Sequence, residues 1–230
     1  MMHQEIVNID GPQGRLSAEL SYGSGRQCAA ALLLSPHPYM GGRMKLPLMD
    51  RLADQFAQAN ITSLRFDYGG VGLGQGPPIR IGPAMQQFWS TGSAPDDPVH
   101  IAEGACAKQW LQAHCGGPMM LVGYSFGAYV ATRLCDQNVA SLVMIAPTIA
   151  RHDYSGLCNS GIPTLIVYGD GDFATSQDEL TSWADRLPGR ATLLHVSAGD
   201  HFFRGQEEDV ARRCREFIEE QAFTQSEIPS

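Results

Sequence analysis

The stretch 118–129, read P-M-M-L-V-G-Y-S-F-G-A-Y, limits the fold of this chain more than any other. Met119, Met120, Leu121 and Val122 form a short apolar run, Gly123-Tyr124-Ser125-Phe126-Gly127 follows at once, and 128–134 has helical spacing with no breaker. A buried strand that enters a helix through so tight a turn forces its middle residue into a strained backbone conformation. It also leaves no room for a side chain two places to either side. Gly123 and Gly127 meet that demand. Ser125 is then expected to project its hydroxyl at the carboxyl edge of a sheet, above the amino end of a helix, where the dipole and free N–H groups favour negative charge.

The rest of the chain reads as the sheet that this turn needs. Residues 5–9 and 15–22 alternate polar and apolar side chains around D-G-P-Q-G, a half-exposed antiparallel hairpin. The run C-A-A-A-L-L-L-S at 28–35 is apolar throughout, as a central strand covered on both faces should be. Further strands are expected at 61–66, 140–146, 162–168 and 191–197, and helices at 46–60, 98–114, 176–187 and 207–222. Ser176 and Glu179 have the spacing of a capping box, while Asp96 or Asp97 should cap the helix that has Pro98 in its first turn. Strands alternating with helices give a mostly parallel sheet with helices on both faces. The segment 77–98 stands apart: prolines and glycines break any long element, yet Ile79, Ile81, Met85, Phe88 and Trp89 are too apolar for a solvated loop. A short lid or pocket wall is the expectation there.

A chain of 230 residues with 43% hydrophobic and 17% charged side chains suits one sizeable domain spanning 1–230. No apolar run approaches the roughly 18 residues that cross a bilayer, and the first residues carry neither a basic region nor a long apolar one. No membrane association and a cytoplasmic location are therefore expected. The net charge of −8 argues against nucleic acid as a partner. Six cysteines lie scattered without a C-x-x-C pair, so free thiols are expected rather than a metal site or disulfides.

Polar clusters recur where strands end, which is where reactive groups gather in such a sheet. A serine is a poor nucleophile until a base takes its proton, and a histidine titrating near neutrality suits that task. His201, in the loop after the last strand, is the candidate. His195 lies within a strand and reads as structural; His3, His100, His114 and His152 have no evident partner. The base needs a carboxylate to hold its tautomer. Asp170 and Asp172 both follow the strand 162–168; Asp172 is chosen, with Asp170 expected to bond its own turn. Charge developing on a substrate oxygen needs N–H donors. The Phe126 N–H should be one. Pro38 has none to offer, so Tyr39 is expected to supply the other, with Met40 second and His37 bracing the loop.

These motifs together resemble the α/β-hydrolase family along nearly the whole chain, in particular its small serine hydrolases with an H-P-x-x-G-G loop, here His37-Pro38-Tyr39-Met40-Gly41-Gly42. R-F-D-Y-G-G-V-G at 65–72 looks like the family's stretch after the fourth strand, where R-G-x-G is commoner. G-D-G-D at 169–172 and G-D-H-F-F at 199–203 match its acid and histidine loops, and the order Ser125, Asp172, His201 is that of the family. The length of 77–98 is the main departure. The resemblance implies an eight-stranded, mostly parallel sheet without a large cap domain, and a cofactor-independent serine hydrolase acting on a small ester or thioester. Carbon–carbon hydrolysis or lysis, lactone hydrolysis, and ligand binding without turnover are the alternatives on this fold. His37, Met40, Phe88, Trp89, Tyr124 and Phe202 are candidates to line the substrate pocket, and Arg43 and Lys45 to meet a substrate carboxylate.

Overall fold

The computed structural model describes residues 1–79, 81–91, 94–159, 161–187 and 191–226. Among them, eight strands form one sheet: β1 Met2–Gly11, β2 Gly14–Gly23, β3 Ala29–Leu34, β4 Ile61–Phe66, β5 Met119–Tyr124, β6 Val139–Ile145, β7 Thr164–Gly171 and β8 Ala191–Asp200. Their spatial order is β1-β2-β4-β3-β5-β6-β7-β8. The hairpin β1–β2 and the β2–β4 pair are antiparallel; every later pairing is parallel. The helices are α1 Pro47–Gln58, α2 Ile81–Thr91, α3 Asp97–His114, α4 Phe126–Leu134, α5 Gln177–Ala184 and α6 Glu207–Ser226.

The apolar run in β3 shows why the sheet takes helices on both sides. All six of its residues are buried. Ala29, Ala31 and Leu33 point into a core shared with α1 and α6, while Ala30, Leu32 and Leu34 point into a second core shared with α3, α4 and α5. A strand alternates its faces every residue, so a continuous apolar run is stable only between two layers. Each buried leucine contributes about 1.5–3 kcal/mol. On the first face, Val210, Ala211, Cys214, Phe217, Ile218 and Ala222 make one stripe of α6 beside Leu48, Met49, Leu52, Ala53 and Phe56 of α1.

Two local expectations are corrected. Residues 77–98 contain the 11-residue helix α2 despite Gly82 and Pro83. Both residues fall in its first turn, where a proline costs no intrahelical hydrogen bond. Its Ala84 is buried against Tyr39 and Ala94. At the start of α3, Asp96 stands at the N-cap position but makes no side-chain cap bond; its carboxylate accepts from the Tyr39 hydroxyl instead. The capping box of α5 is present in full, with the Ser176 Oγ accepting from the Glu179 N–H and the Glu179 carboxylate from the Ser176 N–H.

Two buried charges hold the antiparallel end of the sheet. Arg65 of β4 is 1% exposed and bonds Glu19 of β2 and Asp50 of α1. Asp67, just past β4, accepts from the Met44 and Leu73 N–H groups and so ties the loop before α1 to the glycine-rich stretch after β4. Among the described residues no helix is long and apolar enough to cross a membrane.

Candidate active site

The serine sits where the turn demands. Ser125 has φ 56° and ψ −118°, a conformation that costs about 1–3 kcal/mol outside glycine. The sheet holds it there: its N–H donates to the Ile145 carbonyl at 2.8 Å. A Cβ on Gly123 would collide with the Gly127 carbonyl, and one on Gly127 with the Leu34 carbonyl. The two glycines are thus what lets β5 turn into α4 against the end of β3.

Loops at the carboxyl ends of three strands bring the other groups in. The Ser125 hydroxyl donates to His201 Nε2 at 3.0 Å, and His201 Nδ1–H donates to Asp172 Oδ1 at 2.8 Å. The Asp172 carboxylate also accepts from the Ala174 N–H at 2.7 Å, which orients it. The His201 and Asp172 side chains are 6% and 4% exposed. Tyr124, the residue before the serine, donates its hydroxyl to the His201 carbonyl at 2.9 Å and so fixes the histidine loop to β5. Burial pushes that phenol's pKa up, so the hydroxyl stays a donor. Asp170 does not bond its own turn: its carboxylate accepts from His195 at 2.5 Å and from the Ala198 N–H at 2.8 Å. The acid loop is thereby stitched to β8, whose end carries His201, and His195 has the structural role its strand position suggests.

These groups open onto a cavity of about 310 Å³. His37, Met40, Phe88, Tyr124, Phe126 and Phe202 all line it, beside Ser125 and His201. The side chain of Trp89 lies outside the described residues. Sequence reasoning missed Leu46, Pro47, Leu48 and Phe173 on its apolar wall, and Thr148, Arg151, His152 and Arg204. Phe173 was findable, since it directly follows the acid, and its ring lies 4.5 Å from the His201 ring. The cationic groups at the cavity are Arg151 and Arg204; Lys45 is engaged with Glu19, and Arg43 does not line it.

The expected donor from Tyr39 is a correction. Residues Pro38–Met40 form a single 3-10 turn, and its geometry uses up the amides. The Tyr39 N–H donates to His37 Nδ1 at 3.1 Å, and the Met40 N–H to the His37 carbonyl at 2.9 Å. Tyr39 itself lies outside the cavity that Ser125 faces. Among the described residues, the peptide N–H groups that have no acceptor at the lining are those of His37 and Phe126. Their rings pack at 4.5 Å. The second donor is therefore displaced from Tyr39 to His37.

His100 and His152, which lacked partners in the sequence, have them in the fold. His100 Nδ1 meets Glu103 at 3.0 Å, and His152 Nδ1 meets the Thr148 hydroxyl at 2.8 Å. Burial holds the pKa of His37 and of His152 below the ordinary value, against the pull of the Asp97 carboxylate. Burial likewise raises the thiols of Cys28, Cys115, Cys135 and Cys214, that of Cys135 to about 12. No group of three or more His, Cys, Asp or Glu side chains among the described residues is arranged to hold a metal ion.

With this geometry in view, the comparisons with known proteins are specific. Residues 23–226 match the model of the alpha/beta hydrolase family. Uncharacterized protein RP471 of Rickettsia prowazekii (strain Madrid E) is 25% identical over 225 residues, 92% of this chain and 87% of that one. An alpha-beta serine hydrolase homologue from Coxiella burnetii superposes with a TM-score of 0.77 at 24% identity, covering 91% of this chain and 96% of that one. XC6422 from Xanthomonas campestris, an a/b serine hydrolase without lid, does so with a TM-score of 0.79 at 23% identity, over 95% and 94%. The structural likenesses are of fold, and the family match spans most of the chain: this protein belongs to the alpha/beta hydrolase family.

Proposed function

We propose that the protein is a serine hydrolase that cleaves a small carboxylic ester or thioester through an acyl-enzyme on Ser125. The observation that carries this reading is the buried relay from Ser125 through His201 to Asp172, opening onto one largely apolar cavity. In the first half-reaction His201 Nε2 takes the Ser125 proton as Oγ attacks the acyl carbon. Asp172 stays ionised and stabilises the imidazolium. The N–H groups of His37 and Phe126 receive the negative charge on the carbonyl oxygen. The tetrahedral centre collapses, the C–O or C–S bond to the leaving group breaks, and the alcohol or thiol departs with the proton from His201. Water then repeats the sequence, with His201 as its base, and the acid leaves. The apolar wall of Leu46, Leu48, Phe88 and Phe173 suits an acyl or leaving group without charge.

A fluorophosphonate probe tests the nucleophile. Wild-type protein should be labelled on Ser125, and Ser125→Ala should lose both labelling and nearly all turnover of nitrophenyl esters, by about 10⁴-fold or more in kcat. An unlabelled wild type, or labelling that survives Ser125→Ala, would defeat the proposal. A series of nitrophenyl esters and acyl-CoA thioesters of increasing acyl length then decides which leaving group is preferred.

A further inference from the structure

Behind the oxyanion loop lies a carboxylate that the hydrolytic relay does not use. Asp97 opens α3, and its side chain is 9% exposed. Its Oδ1 lies 3.0 Å from His37 Nε2, its Oδ2 accepts from the Ala94 N–H at 3.1 Å, and Oδ2 is 3.8 Å from His152 Nε2. One carboxylate thus meets the loop after β3, the end of the segment that carries α2, and the loop after β6. We propose that Asp97 is a positioning residue which, through His37, holds the His37 peptide N–H toward the oxygen of the reacting acyl group. The inference rests on the reading of Ser125 as nucleophile and deepens it.

The tautomer of His37 follows from its partners. Nδ1 accepts from the Tyr39 N–H, so it carries no proton. The ring proton is therefore on Nε2, from which it is donated to Asp97. The His37 carbonyl accepts from both the Met40 and Gly42 N–H groups. A side chain at Gly42 would collide with the Pro36 carbonyl, so the loop closes tightly on itself. His37 is pinned at Nδ1, at Nε2 and at its carbonyl, and its N–H is the group left over. Two of these three restraints lie within the loop. The third reaches a different element, and without it the loop could turn as a unit about its own internal bonds. Asp97 suits the task because the amino end of an 18-residue helix favours its ionised form, and an ionised acceptor makes the stronger hydrogen bond.

The experiment separates a brace from a mere structural contact by comparing four variants. D97A removes the brace and D97N weakens it, because its amide must turn a donor toward either Ala94 N–H or His37 Nε2. H37N keeps an acceptor for the Tyr39 N–H and drops the reach to Asp97; H37Q keeps an amide nitrogen near the Nε2 position and drops the Tyr39 contact. Nitrophenyl ester kinetics, affinity for a trifluoromethyl ketone that forms a tetrahedral adduct on the serine, and the thermal midpoint are measured for each.

D97A is expected to lower kcat about 10- to 100-fold with KM within about twofold. The ketone should bind more weakly by a similar factor, while the product acid binds as before. D97N should fall between D97A and wild type, and H37Q should retain more kcat than H37N. If D97A does not fold, D97N and H37N carry the comparison. Wild-type kcat in D97A or D97N, a loss that appears in KM with the ketone affinity unchanged, or H37N outperforming H37Q would overturn the inference. End-point fluorophosphonate labelling keeps the two proposals apart: an unlabelled wild type sinks the nucleophile reading, whereas labelled variants with unimpaired turnover sink only the brace.

Discussion

At the scale of single residues, the glycines around the active serine differ in what they do, and substitution separates them. Gly127 has no space: a Cβ there meets the backbone of Leu34, and backbone cannot give way without moving β3 or α4. Gly41 has space but not conformation; nothing lies within 4 Å of its added Cβ, yet its φ is 79°. Steric overlap in a packed core costs more than one left-handed residue, which costs about 1–2 kcal/mol. Gly127→Ala is therefore expected to lose at least about 3 kcal/mol in urea unfolding, and Gly41→Ala about 1 kcal/mol. Equal losses in the two variants would show that crowding at the elbow costs no more than a left-handed backbone does. The strain at Ser125 itself is of the same kind, carried by a residue whose chemistry needs the exposed position.

At the scale of elements, α2 is the part through which the fold departs from what a bare sheet edge would offer. It is docked by Ala84 against Tyr39 and presents Phe88 to the cavity, with the Phe88 ring 6.4 Å from that of His37 and 6.5 Å from that of His152. Phe88 is only half-buried, so its removal should cost little stability and act on substrate. Phe88→Ala is expected to raise KM about 3- to 10-fold for short acyl esters, since loss of apolar contact of this size is worth about 1–3 kcal/mol. It should also shift preference toward bulkier acyl groups, with a change of only a few degrees in Tm. Kinetics identical to wild type on the whole ester series would remove α2 from the pocket.

The same elements show what was legible beforehand. The strands of the parallel sheet and the Ser176 cap were readable because each is decided by neighbours in sequence. The amide of Tyr39 was not, because its orientation depends on His37, which is held by Asp97 sixty places along the chain. The capping role expected of Asp96 and Asp97 failed for the same reason, as distant partners claimed both carboxylates. The bonds of Asp170 across to His195 and Ala198 likewise depend on strand register, which local spacing does not reveal.

At the scale of the whole molecule, these buried polar contacts make stability depend on pH. His37 is neutral in the fold, held there by burial and by the neighbouring His100, against the attraction of Asp97 and Asp96; His152 is likewise neutral, facing Asp97 and His37. An unfolded histidine takes up a proton near its ordinary value of 6.5, whereas these two resist it until lower pH. Between those limits the unfolded chain binds more protons than the folded one, so stability falls as acid is added. Glu19 acts lower down. Burial would raise its pKa, but its hydrogen bonds to Lys45 and Arg65, with their charges, outweigh that and lower it below the ordinary 4.5. Its contribution is present above 4.5 and is lost as pH falls through the folded value. Urea unfolding from pH 8 to pH 4 should therefore show a plateau down to about 6.5, a decline below it from the two histidines, and a further decline below about 4.5 from Glu19. H37N should flatten the upper decline and leave the lower one, while Glu19→Gln should do the reverse at reduced overall stability. A profile that stays level between about pH 6.5 and 5, or one that H37N leaves unchanged, would mean that His37 takes up its proton as readily in the fold as in the open chain.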